Sequence, residues 1–189
     1  MKRAVVSVGL LLALAVALPA AASTFLAMDQ KALLQHANLV IQGQVLQVNS
    51  FWEPEGRLIV SEALVRVEES VVGDAPSVVV VRTFGGTVDG FTVEAHGFPR
   101  FRVNERLLLF LGAEKNGAAE VVGYQQGQFR VVRNRAGEEI AVPTVDGGAN
   151  LLNPDGRPLP RLQAVPLAAL KDSIRADVRS LGPVNRFQE

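Results

Sequence analysis

The chain has 189 residues, 48% of them apolar, and its 19 basic residues balance its 19 acidic ones. It contains no cysteine, which excludes disulfides, thiol catalysis, thiolate metal sites and a lipidated N-terminal cysteine. The balanced charge leaves no basic field to attract nucleic acid or anionic lipid.

Residues 1–22 read as a cleavable signal peptide. Lys2 and Arg3 form a positive start, and Ala4 to Leu18 is an uncharged run of 15 residues. Pro19 breaks that run, and Ala20-Ala21-Ala22 offers the small residues of a cleavage site. A membrane-spanning helix wants roughly 20 apolar residues, and this run falls short. Cleavage after Ala22 removes two basic residues, so the mature chain is slightly acidic and begins at Ser23-Thr24. A periplasmic or secreted bacterial protein is the setting expected, with stability resting on the core alone.

Asp29 can cap a short helix through Ala37, with Leu33 and Leu34 facing inward. A strand follows from Asn38 to Asn49, and Gly43 within it suggests a bulge or sharp bend. Glu53-Pro54-Glu55-Gly56 is a turn. Arg57 to Val72 is a long second strand, whose apolar parity holds Ile59, Ala63, Val65, Val67 and Val71. After the turn Gly73 to Pro76, Val78 to Phe84 is apolar on both faces and is predicted to lie centrally. Gly85 to Gly90 reads as a flexible segment, and Leu107 to Leu111 as a buried strand. Ala119 to Tyr124 and Gln128 to Val132 are predicted to form a hairpin around Gly127.

Residues 143–165 are rich in Pro, Gly, Asp and Asn and read as an irregular arm. Pro166 opens a last helix with Leu167, Leu170, Ile174, Val178 and Leu181 on one face, stopped by Gly182-Pro183. The sum is a mainly β chain. An OB-like barrel is predicted over residues 23–142, with a short N-terminal helix and a C-terminal helix over 166–182.

The stretch Ala37-Asn38-Leu39-Val40-Ile41-Gln42-Gly43-Gln44-Val45 resembles the opening of netrin-like domains, which include the tissue inhibitors of metalloproteinases. Val71-Val72-Gly73-Asp74 resembles their turn after the second strand, and Asn104 to Phe110 their Gly-Glu-x-Tyr-Leu-x-Phe strand. The element Gly97-x-Pro99-x-Phe101 is similar to one in uncharacterised exported bacterial proteins. The resemblance spans residues 29 to 125 and implies an OB fold. In the metalloproteinase inhibitors the amino group and carbonyl of an N-terminal cysteine bind the target's zinc. Here Ser23-Thr24 stands at that place, and no disulfide is available to fix it.

Catalytic patterns are scarce. The histidines are His36 and His96, and a metal site built on them would need Glu62 or Glu94. No His-Glu-x-x-His or Gly-x-Ser-x-Gly pattern occurs. The pairs Glu68-Glu69 and Glu138-Glu139 point to opposite faces of a strand and read as solvation devices. Gly85-Gly86-Thr87 lacks the lysine and helix of a phosphate loop.

Aromatic residues are the better lead. Phe51 and Trp52 end the first long strand, and Phe84, Phe91, Phe98 and Phe101 fall near the Gly-rich segment, with Arg82, Arg100 and Arg102 among them. Exposed, they would make a binding patch; buried, they would plug a barrel. The expectation is a non-enzymatic exported binding module with no cofactor and no metal. Its predicted site comprises Ser23, Thr24, Trp52, Phe84, Phe98 and Arg100, and its partner is a protein, in the sharper version an exported protease. The alternatives are an envelope-assembly protein that docks by its C-terminal helix, and an enzyme whose site is scattered along the chain.

Overall fold

The structure, a computed structural model, describes residues 23–54, 56–145, 149–157 and 163–182; the signal-peptide reading of 1–22 lies outside them. In chain order the elements are β1 (Ser23–Leu26), α1 (Gln30–His36), β2 (Leu39–Trp52), β3 (Ile59–Val72), β4 (Val78–Phe84), β5 (Gly86–Val88), β6 (Phe91–Val93), β7 (Arg106–Leu111), β8 (Ala119–Glu120), a 3-10 turn at Tyr124–Gly127, β9 (Gln128–Arg133), β10 (Glu139–Pro143), β11 (Ala149–Leu152), β12 (Val165–Pro166) and α2 (Leu167–Leu181).

Asp29 caps α1 as its sequence suggests, its carboxylate accepting from the Ala32 amide at 2.7 Å. Leu33 and Leu34 are buried. β2 and β3 form the longest antiparallel pair, with register shifts at Val40/Ile41, Gln42/Gly43 and Val45/Gln47. These irregularities bend and twist the ladder. Gly43 is needed at one of them, because a Cβ there would lie 2.5 Å from the Arg66 carbonyl oxygen. The result is a curled half-barrel sheet in the order β12-β10-β9-β7-β2-β3-β4-β8.

Two apolar clusters flank this sheet. One joins Leu33, Leu34, Val40, Leu108 and Phe110 to Leu167 and Ile174 of α2. The other, within the curl, gathers Ile41, Val45, Ala63, Val65, Val81, Leu107 and Leu109. β7 therefore faces core on both sides, as its unbroken apolar run demands.

An ion network fastens α2 and β10 across the sheet. Arg106 on β7 donates to Glu68 at 2.7 Å and also to Glu139. Lys171 and Arg175 each donate to Glu69 at 2.6 Å. Gln42, buried in the sheet, donates to Glu68 at 2.9 Å and accepts from Lys171. The Arg106 guanidinium, more than any other group, holds the Glu68 and Glu139 carboxyls below the usual carboxylate range. Adjacent acids read as solvation devices thus serve as docking points for a helix and a strand.

Three predictions are corrected. β4 does not lie centrally: it neighbours only the two-residue β8 on its outer side, and its burial alternates through Val79, Val81 and Thr83. Its valines reflect β-propensity on a twisted outer strand rather than double burial. Residues 119–132 are not a hairpin. β8 runs parallel to β4, while β9 pairs with β7 and β10. Gly85 to Gly90 is not loose, because β5 and β6 form an antiparallel ribbon there. The arm is ordered in part: β11 pairs in parallel with β1, and β12 extends the sheet beside β10. Residues 146–148 and 158–162 of the arm lie outside those described.

Candidate binding site

The loop Gly97–Arg100 carries two of the predicted residues and belongs to no strand, yet four successive carbonyls in it are hydrogen-bonded. The Gln125 amide donates to Gly97 at 3.0 Å, and the Gln125 side chain to Phe98 at 3.0 Å. Thr83 donates to Pro99 at 2.9 Å, and Gln128 to Arg100 at 2.9 Å. Gln128 in turn accepts from the Thr144 hydroxyl at 3.0 Å. Gln126 reaches the other way, donating to Leu26 at 3.0 Å and accepting from the Met28 amide at 2.8 Å. All three glutamines are buried. Buried polar side chains survive when such partners satisfy them, and the frame they make is rigid.

This frame lines up aromatic rings. Phe25 of β1 meets Tyr124 with centroids 5.1 Å apart, Tyr124 meets Phe98 at 4.8 Å, and Phe98 meets Phe84 at 5.2 Å. The last two contacts are edge-on, the geometry aromatic pairs favour. Gly97, with φ +84, permits the run: a Cβ there would lie 2.1 Å from the Phe25 ring. Tyr124 also sits in the left-handed region, at φ 58, directly after Gly123 at φ 66. Phe84 remains 38% exposed and Tyr124 45%. With Phe98 they wall a groove of about 220 Å³, which Glu53, Arg82 and Glu120 also line. Arg82 is engaged there, donating to Glu62 at 3.0 Å through Nε.

The predicted residues therefore fall into four groups. Phe84 and Phe98 come together. Trp52 does not join them; it packs edge-on against Phe91, 6.3 Å between centroids, with Phe91 65% exposed. Arg100 faces away from the aromatic run and meets Glu94 at 3.5 Å. Ser23 and Thr24 begin β1, paired with Ala149 and Asn150, next to the Phe25 that opens the ring run. Phe101 is partly buried against the cluster within the curl. Phe25, Tyr124 and the three glutamines had no signal in the sequence reading. Glutamine in a polar stretch looks like surface, and Phe25 lies three residues past the expected cleavage point.

Other expected chemistry finds no gathered site. Ser61 donates to the Gly85 carbonyl at 2.6 Å, which obliges Ser50, 2.8 Å away, to donate to Ser61. That hydroxyl chain is structural. His36 closes α1, and His96 lies exposed in the loop before Gly97. Among the described residues no three His, Asp or Glu side chains group as a metal cage. Among the same residues no helix is long and apolar enough to cross a membrane.

No protein-family model matches this chain, and a search of curated proteins finds no match.

Proposed function

We propose that this chain is an exported, non-enzymatic binding module that receives a protein partner in the groove walled by Phe84, Phe98 and Tyr124. The observation that carries this reading is the aromatic run itself. Four rings are in contact, two of them substantially exposed, and one of the four, Phe98, stands on a loop whose carbonyls are all tied down. Rigid, partly exposed aromatics are the usual anchors of protein interfaces, because they bury much area at little entropic cost. The slightly acidic mature chain supports a protein rather than a nucleic-acid partner.

The test is a photo-crosslinking amino acid placed at position 124 in the protein expressed in its own host. A discrete adduct from position 124, absent from the exposed control position 57, supports the reading. Adducts equal at both positions, or none at 124, count against it. The sharper version, suggested by the resemblance to metalloproteinase inhibitors, uses the α-amino group and carbonyl of Ser23. It fails if saturating processed protein leaves an exported metalloprotease at full activity.

A further inference from the structure

A loop segment and strand β9 both contribute side chains to one cavity. In Arg100-Phe101-Arg102, Phe101 packs against the core within the curl. The two arginines flanking it border the cavity instead. In β9, Phe129 and Val131 pack toward the helix-side core. Gln128 and Arg130 share the other face, as the two-residue period of a strand requires. The bond from Gln128 to the Arg100 carbonyl, 2.9 Å, joins the two segments. Arg100, Arg102 and Arg130 all border one cavity of about 340 Å³, with Gln125, Gln128 and Thr144 among its other walls; Arg100 also borders the neighbouring cavity, where Glu94 lies.

The charge there is poorly compensated. Glu105 is the acid that lines the cavity, and it stands 3.8 Å from Arg130 Nε, beyond hydrogen-bond distance. That Nε is buried and has no hydrogen-bond partner. Arg100 meets Glu94 only at 3.5 Å, with both side chains largely exposed. Among the described residues, Arg102 has no ion pair. Elsewhere the molecule pairs its cations closely, as Arg82, Arg106, Lys171 and Arg175 show. Three arginines bordering one cavity offer the guanidinium donors that an oxyanion takes, and this excess occurs in a chain whose net charge is zero or slightly negative.

We infer that this cavity is an oxyanion site, taking a phosphate, sulfate or carboxylate group through Arg100, Arg102 and Arg130. It is separate from the aromatic groove, although Gly97–Arg100 contributes to both: Phe98 and Pro99 face the groove, and Arg100 the cavity. The inference stands whether or not the groove binds a protein.

The test is NMR titration of the full mature protein, following the arginine Nε–H resonances. Sodium phosphate, sodium sulfate and an acetylated Asp-Asp dipeptide are compared with sodium chloride at matched ionic strength. Saturable shifts at Arg100, Arg102 and Arg130 are expected with an oxyanion and not with chloride. Which probe saturates first separates an inorganic from a carboxylate ligand. Arg102→Gln is expected to weaken the binding about tenfold, the loss of one charged hydrogen-bonding group, while Arg57→Gln leaves it unchanged. Arg102 is exposed and unpaired, so its replacement spares the fold. Shifts that track ionic strength alike for chloride and oxyanions overturn the inference, as does equal binding by the two variants.

Discussion

Gly97 meets two demands at once, a left-handed backbone and a Phe25 ring lying where its side chain would be. Gly90 has nearly the same φ, +82, with nothing within 4 Å. The pair separates the two costs. Gly90→Ala is expected to lower unfolding free energy by about 1 kcal/mol, the cost of the backbone conformation alone. Gly97→Ala adds the displaced ring and is expected to cost about 2–3 kcal/mol in urea unfolding. It should also perturb the Tyr124 environment; equal costs at the two sites would contradict the packing described. Gln128 is the polar counterpart. Gln128→Leu strands the Arg100 carbonyl, and about 1–3 kcal/mol of stability is expected to go with it; the Thr144 hydroxyl keeps the backbone carbonyl of residue 128 as acceptor at 3.0 Å. The glutamine's role was illegible in the sequence, because nothing local distinguishes a buried, fully bonded amide from a solvated one. That Phe84 and Phe98 lie near one another was legible, because both flank the same Gly-rich segment.

At the scale of elements, local pattern and long-range pairing part company. α1, β2, β3, β7 and α2 follow from capping, alternation and helical spacing, all contained in short windows. The place of β4 in the sheet and the partners of β8 and β9 depend on segments far along the chain. A valine run and a central glycine cannot specify them. The ion network is likewise an element-level device. Glu68 and Glu139 have folded pKa values below the ordinary 4.5, chiefly through Arg106. Depressed carboxylate values stabilise the fold at pH above the unfolded value, and that contribution disappears as pH falls from about 4.5 through the lowered folded values. Partial exposure limits it to about 1 kcal/mol. The urea midpoint is therefore expected to be flat near neutrality and to fall below pH 4.5. In Arg106→Gln it should start lower and fall less steeply on the acid side. Parallel profiles for the two proteins would show that the network contributes nothing.

For the whole molecule, the mainly β curled sheet with a helix at either end of the chain matches the fold class anticipated from its spacing of strands, turns and helices. The sheet supplies the platform, and the Tyr124–Gln128 turn supplies the rigidity where the groove and the arginine cavity meet. The proposed export would fix what this surface can encounter. Protein recovered from its host is expected to begin at Ser23, measured by N-terminal sequencing; a chain that starts at Met1 would remove the proposed compartment.

The groove itself is tested most directly by Tyr124→Ala, with affinity for the crosslinked partner and urea stability measured on the same preparation. Tyr124 is 45% exposed, so stability is expected to change by about 1 kcal/mol or less while affinity falls at least about tenfold. Unchanged affinity, or a loss accounted for by unfolding, would contradict a binding role for the aromatic groove.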